Sequence, residues 1–140
     1  MKSILILNQS KTNKSPSLFF DALREINKDN YKFHRYYLSE NNKLKMLIQL
    51  IFPSFKKHLN RFSKKNNCGV IFSTGLICDF LVLAYVKGIK KVCFIRGHLP
   101  TVYGYKYPIF RIGYLLGVIH YFIASRFDKV IVMTRSMKKE

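Results

Sequence analysis

One segment, residues 92–100, constrains the fold of this chain more than any other. It begins with four apolar residues, Val92-Cys93-Phe94-Ile95, and ends in the turn Arg96-Gly97-His98-Leu99-Pro100. A short run that is apolar throughout is typical of a strand buried on both faces, as in a parallel sheet. Gly97 and Pro100 mark where the chain leaves that strand. Because ligands bind beyond the carboxyl ends of strands in open parallel sheets, Arg96 and His98 are predicted to face a ligand crevice.

Four further segments have the composition of strands, and helical patterns separate them. The predicted strands are residues 3–7, 31–38, 69–73, 91–95 and 129–133. Helices are predicted over 16–27, 76–87 and 108–126, and a Tyr- and Gly-rich loop over 101–107. The first helix is expected to place Phe19, Ala22, Leu23 and Ile26 on the sheet, and the last two are apolar enough to be buried. This alternation predicts one α/β domain over residues 1–140, an open, mostly parallel Rossmann-like sheet of about five strands with helices on both faces.

Residues 41–67 are predicted to form a basic amphipathic helical insertion in that domain. Between Glu40 and Asp79 the chain has no acidic residue, and apolar residues recur at helical spacing. The cations selected as membrane-contacting are Lys56, Lys57, Arg61, Lys64 and Lys65. Such an element binds an anionic membrane surface. Alternatively, its apolar stripe packs on the sheet and its basic side faces water, and the sequence leaves both interpretations open.

The net charge of +18, from 25 Lys and Arg against 7 Asp and Glu, favours anionic partners. These are nucleic acid, phosphorylated small molecules or an anionic membrane, although the same charge can also be a solvated, lysine-rich surface. The three cysteines lack the C-x-x-C spacing and lie among apolar residues, which predicts buried, reduced thiols. No spacing among the four histidines indicates a metal site, and we expect no cofactor. No apolar run reaches the about 20 residues of a membrane-spanning helix.

Two segments resemble the N-terminal domain of family 4-like glycosyltransferases of the two-domain GT-B fold. The first is Phe94-Ile95-Arg96-Gly97-His98-Leu99-Pro100, which is similar to an aromatic-Ile-(Arg/Gln)-Gly-x-x-Pro run of that group. The second, residues 127–139, is similar to the "ADxVIxVS-x-x-MKK" strand and following helix. A short polar turn, Ser73-Thr74-Gly75, also stands where the family has one. The turn after the first strand, Asn8-Gln9-Ser10-Lys11, departs from the family because it lacks glycine.

The resemblance implies an acceptor-side domain that works with a donor-binding domain absent from these 140 residues. Its reaction would transfer a sugar from a nucleotide-sugar to a saccharide or lipid-linked acceptor in the synthesis of cell-surface polysaccharide. Arg96 and His98 are the expected catalytic residues, the first for phosphate or acceptor contacts and the second as a base or as a hydrogen-bond partner of a sugar hydroxyl. The alternatives left open are an ion pair between Arg96 and a helix carboxylate, and a structural hydrogen bond of His98 within the turn. The expected substrate-binding residues are Gly97, Ser10, Lys11, Ser73, Thr74 and Gly75.

The expected location follows from the same reasoning: cytoplasmic, and peripheral on the inner face of the membrane. Because the chain ends on what reads as the first turn of a helix, we expect it to be the front part of a longer protein, inactive alone. A donor-binding half on a separate chain is one expected partner. The alternative is a basic nucleic-acid-binding α/β module without catalysis, which would need basic and aromatic residues on one face. A stand-alone nucleotide-binding domain ranks third, because neither G-x-G-x-x-G nor a P-loop occurs.

Overall fold

Five parallel strands form the centre of the molecule. The computed structural model describes residues 2–8, 14–38, 53–106 and 111–132. The strands are β1 (Lys2–Asn8), β2 (Tyr31–Tyr37), β3 (Cys68–Ser73), β4 (Lys90–Ile95) and β5 (Lys129–Val132). Every pairing is parallel, in the order β2-β1-β3-β4-β5. The prediction of an open parallel, Rossmann-like α/β sheet is therefore confirmed.

Helices cover both faces of this sheet, as the alternation of side chains along the strands requires. The described helices are α1 (Lys14–Asn27), α2 (Pro53–Lys65), α3 (Leu76–Tyr85), α4 (Leu99–Lys106) and α5 (Ile112–Ala124). On one face Leu5, Ile71 and Cys93 pack in a core with residues of the helices α2 to α5. On the other face Ile4 and Ile6 pack with Phe20 of α1. The sheet is thus buried between two layers, which explains its apolar strands.

The predicted inner face of α1 is wrong at Ala22 and Ile26, which are exposed, whereas Leu23 is half-buried and the side chain of Phe19 lies outside the described part. Among the α1 residues whose burial the structure describes, 20–27, Phe20 is fully buried, and its ring lies 6.0 Å from that of Phe72 and 6.2 Å from that of Phe94. Ile26, which was expected to face the sheet, is 81% exposed. The helix is rotated relative to the prediction because Phe20 fills the space over the two strand phenylalanines. Two adjacent phenylalanines left that choice open in the sequence.

The loop predicted over residues 101–107 is also wrong, because α4 occupies most of it. Pro100 is the second residue of this helix, where its fixed φ suits the first turn and its missing N–H costs nothing. The first helical hydrogen bond runs from the Val102 N–H to the His98 carbonyl, at 2.9 Å. Pro100 therefore starts a helix here, whereas the sequence interpretation used it only as the end of a strand.

The expectation that the last helix is buried holds for only one side of α5. Gly113, Gly117, His120 and Ala124 face inward and are buried. The outward half of the helix is exposed, although it is as apolar as the inward half. The prediction failed because an apolar run does not reveal which of its sides packs.

The part of the basic insertion that the structure describes is α2. Leu59 is fully buried against the core, Phe62 packs beside it, and the five selected cations of this helix are exposed. Residues 41–52 of the insertion lie outside the described residues, as do residues 133–140.

Candidate functional site

A cleft of about 270 Å³ opens beyond the carboxyl ends of β3 and β4. Its walls come from the turn after β3, the N-terminus of α3, the turn after β4 and the two helices α4 and α5. The polar and glycine residues that line it are Thr74, Gly75, Arg96, Gly97, Tyr103, Lys106 and His120. This is the edge of a parallel sheet where ligands bind, because the strand ends and helix N-termini converge there. Of the residues that follow β4, Arg96 and Gly97 line this cleft, whereas His98, predicted to face a crevice with Arg96, is not among its lining residues.

Arg96 supplies positive charge to the cleft. Its side chain is exposed on the cleft wall and has no hydrogen-bond or ion-pair partner among the residues that the structure describes. Partial desolvation lowers the pKa of Arg96, yet a guanidinium remains cationic at any physiological pH. Lys106 on α4 lines the same cleft. The cleft therefore favours an anionic ligand, and a carboxylate or phosphate there would pair with Arg96 through two hydrogen bonds.

The N-terminus of α3 forms the opposite wall. Gly75 is the N-cap residue, with a φ of 96° that favours glycine, and no side chain caps the helix there. The Leu76 N–H donates to the Tyr103 hydroxyl at 3.3 Å, and both residues line the cleft. Because the first N–H groups of a helix point outward from its N-terminus, this end adds positive potential to the side facing the cleft.

A buried carboxylate lies directly beneath the cleft. Asp79 of α3 is fully buried, and its Oδ1 accepts a hydrogen bond from the Ser73 hydroxyl at 2.5 Å. Its Oδ2 lies 2.5 Å from His120 Nε2 and accepts from the Cys93 thiol at 3.2 Å. A buried carboxylate needs such donors, since water cannot solvate it. The three partners come from β3, β4 and α5, so Asp79 ties these elements to α3.

His120 extends this network to the cleft wall. Its Nδ1 lies 3.2 Å from the Tyr103 hydroxyl, which itself accepts from the Leu76 N–H. His120 is 2% exposed, so both ring nitrogens are used inside the protein. We name the set Ser73, Asp79, Cys93, Tyr103 and His120 the Asp79 network. It fixes the position of α5 and α4 relative to the sheet, and hence the shape of the cleft.

Ligand atoms of Asp79, Cys93 and His120 lie within 4.8 Å of one another, a set of residue types that binds metal ions. The carboxylate and imidazole atoms are only 2.5 Å apart, which is a hydrogen-bond distance and too short for two ligands on one ion. Burial and the Asp79 carboxylate also raise the pKa of the Cys93 thiol well above its usual range. The geometry therefore fits a hydrogen-bonded network better than a metal centre.

The residues predicted from the sequence do not all come together in the structure. Thr74, Gly75, Arg96 and Gly97 line the cleft together. The hydroxyl of Ser73 is engaged with Asp79 and is fully buried.

His98 is exposed and lies outside the cleft lining, with its Nδ1 2.7 Å from the Thr101 hydroxyl. Ser10 and Lys11 lie outside the described residues. The five cations of α2 do not line the cleft. The catalytic role of His98 and the membrane role of those cations stay predictions.

Sequence reasoning missed Asp79, Tyr103 and His120. In the sequence Asp79 is only the next acidic residue after Glu40, and no local motif singles out Tyr103 or His120. The available signal was an acidic residue and a histidine, each alone in an apolar helix. A buried charge in such a helix requires a partner, although 41 residues separate the two along the chain.

Comparison of the chain with protein-family models, with curated proteins and with solved structures finds no match. The likeness to the glycosyltransferase group therefore rests on the sequence segments quoted above. The descriptions of the fold and of the cleft come from the structure and do not depend on that likeness.

Proposed function

We propose that this domain is the acceptor-binding half of a glycosyltransferase, and that its cleft holds the phosphate of a phosphorylated or lipid-linked acceptor. The observation that carries the proposal is Arg96, an arginine in the cleft without a partner among the described residues. A guanidinium that none of the described residues pairs, beside two glycine turns, suits a bound phosphate, because the backbone can approach closely and no described carboxylate compensates the charge.

In such an enzyme the two halves have different roles, because negative charge develops on the donor during transfer. The leaving diphosphate of the nucleotide-sugar gains negative charge, which needs cations or N–H donors placed in advance. In this proposal the donor-binding half, on the same or another chain, supplies those groups. This domain holds the acceptor, with Arg96 on its phosphate and the Gly75 and Gly97 turns on either side. His98, next to the cleft turn, is the proposed base for the acceptor hydroxyl.

The basic side of α2 supports contact with an anionic membrane as part of the same function. The helix buries Leu59 and turns Lys56, Lys57, Arg61 and Lys64 to solvent. Each such cation contributes about 1 kcal/mol near an anionic surface. A lipid-linked acceptor would then reach the cleft from the membrane on which the protein lies.

Calorimetric titration with farnesyl diphosphate tests the proposed site, since this probe combines a lipid-linked diphosphate with useful solubility. We expect saturable binding that weakens by about tenfold or more in Arg96→Gln, because a charge-assisted, bidentate contact is lost. The matched control is Arg24→Gln, which removes an exposed arginine from α1 on the opposite face of the sheet. Its affinity should equal that of the unaltered chain.

Equal affinity in Arg96→Gln and the unaltered chain would contradict the proposed phosphate site. A single-stranded RNA oligonucleotide is titrated in parallel, because the net charge of +18 favours nucleic acid as well. If the chain binds the oligonucleotide and not farnesyl diphosphate, the nucleic-acid alternative replaces the transferase.

A further inference from the structure

The outward half of α5 is apolar without interruption. Six of its residues are between 40% and 62% exposed: Ile112, Tyr114, Leu115, Val118, Ile119 and Phe122. We name this set the outer face of α5. Every exposed position of the helix belongs to it, whereas α5 has no Lys, Arg, Asp or Glu and its one histidine, His120, points inward. A surface helix of a globular protein normally shows the opposite arrangement.

Two contacts fix this orientation, so the helix cannot rotate to bury its outer face. A Cβ atom on Gly117 would lie 2.4 Å from the backbone nitrogen of Pro100, and one on Gly113 would lie 2.4 Å from the carbonyl oxygen of Tyr103. Only glycine permits so close an approach of α4 and α5. On the same inner side, His120 is bound to Asp79. The exposed apolar surface is therefore a consequence of the fold.

Positive charge borders the outer face at both ends. Arg111 is the N-cap residue of α5, and Arg126 follows the helix with its guanidinium carbon 4.9 Å from the centre of the Phe122 ring. From Phe80 to Phe127 the sequence has no acidic residue. An apolar strip bordered by arginines, within a stretch that has no acidic residue from Phe80 to Phe127, is complementary to a surface that offers hydrocarbon beneath anionic groups.

We propose that the outer face of α5 inserts into the interfacial region of an anionic lipid bilayer, with the helix lying in the plane of the membrane. None of the helices in the described part of the chain is long and apolar enough to cross a bilayer. The helix has 13 residues and is thus about 20 Å long, which suits a position at the headgroup–acyl boundary. This inference does not depend on the proposed transferase, because it concerns a different surface and needs no acceptor.

The charges argue against a second copy of the chain as the occupant. Pairing two outer faces would bring together the Arg126 side chains that lie against Phe122 in each copy, and α5 has no acidic residue to compensate them. The outer face of α5 has almost no hydrogen-bonding groups, and this argues against a different protein as its partner. A typical protein interface carries about one hydrogen bond per 100–200 Å², whereas this half-helix offers only the hydroxyl of Tyr114.

A tryptophan in place of Phe122 tests the proposal, because the chain has no tryptophan of its own. In Phe122→Trp we expect the emission to shift to shorter wavelength on adding phosphatidylcholine–phosphatidylglycerol vesicles, and lipids brominated on the acyl chain to quench it. Ile26→Trp is the matched control, since Ile26 is 81% exposed on α1, on the other face of the sheet. Its emission should neither shift nor be quenched.

A second variant measures, without a tryptophan probe, how much the outer face of α5 contributes to vesicle binding. Leu115→Ser with Phe122→Ser removes two exposed apolar side chains, and it should weaken vesicle binding by about tenfold or more while leaving the unfolding temperature unchanged.

Two results would overturn the proposal. One is that the tryptophan of the Phe122→Trp variant stays unshifted and unquenched on vesicles that bind the protein, since α2 alone would then hold the membrane. The other is that this tryptophan is already blue-shifted without lipid in a chain that sedimentation shows to be dimeric, which assigns the face to a second copy.

Discussion

Because α4 and α5 are in close contact, replacing a glycine of α5 by alanine is expected to lower the free energy of unfolding, although the same change in an exposed helix raises it. Gly117→Ala replaces a helical glycine by the best helix former, a change that on propensity alone stabilises by about 1 kcal/mol. Here the new methyl group would lie 2.4 Å from the Pro100 nitrogen and 2.5 Å from its Cα. We therefore expect the substitution to destabilise the domain.

The magnitude follows from those distances. Carbon atoms make their ordinary contacts at about 3.5 Å or more, so the backbone of α4 must retreat by about 1 Å. Overpacking of this kind costs about 1–3 kcal/mol, and the upper end applies because backbone atoms cannot rotate away as a side chain can. After subtracting the gain in helix propensity, the free energy of unfolding should fall by about 2 kcal/mol.

Urea unfolding followed by far-ultraviolet circular dichroism measures this difference, provided that the transition is two-state. Gly104→Ala is the matched control in α4, because a Cβ atom there meets nothing within 4 Å. It should raise the free energy of unfolding by about 0.5–1 kcal/mol. A Gly117→Ala variant as stable as Gly104→Ala would show that the two helices do not pack as described.

The remaining predictions concern the buried polar groups. Asp79→Ala should lower the free energy of unfolding by about 3–5 kcal/mol, because three buried donors, on Ser73, Cys93 and His120, lose their acceptor. Asp79→Asn should cost less, since an amide oxygen can still accept from the imidazole, and the reverse order in thermal unfolding would argue against the network. Burial raises the pKa of the Cys78 and Cys93 thiols, so the folded state keeps protons that the unfolded chain loses. Their contribution to stability is therefore complete below the pKa of an unfolded thiol and falls above about pH 9, by about 1 kcal/mol per thiol per pH unit. Cys78→Ala should flatten that decline, and an unchanged slope would contradict the assignment.

The strands could be predicted from the sequence because each is a short apolar run between turn residues. Four of the five predicted strands agree with the structure to within one residue at each end, and β5 ends at Val132, the last residue described there. Which side of a helix packs could not be predicted where apolar residues surround it. Phe19 and Phe20 offered two rotations of α1, and only the space above Phe72 and Phe94 decides between them.

The cleft could be predicted in part for a similar reason. Arg96 and Gly97 follow the most recognisable strand, so the topology alone places them at the ligand-binding edge. The Asp79 network depends on a contact between residues 41 positions apart, which no local pattern encodes. The exposure of the outer face of α5 depends on Gly113 and Gly117. Their role is visible only once α4, which the sequence interpretation took for a loop, is known to be a helix.

The most direct test of the central claim is to map where a phosphate-bearing ligand binds, using the backbone amide resonances of the ¹⁵N-labelled chain. Titration with farnesyl diphosphate should shift the resonances of Gly75, Leu76 and Gly97, which line the cleft on both sides of Arg96. In Arg96→Gln the same shifts should need about tenfold more ligand or more. Shifts confined to α2 or to α5, with the resonances of the cleft unchanged, would contradict the account and would assign the binding of anions to the surface of the protein instead.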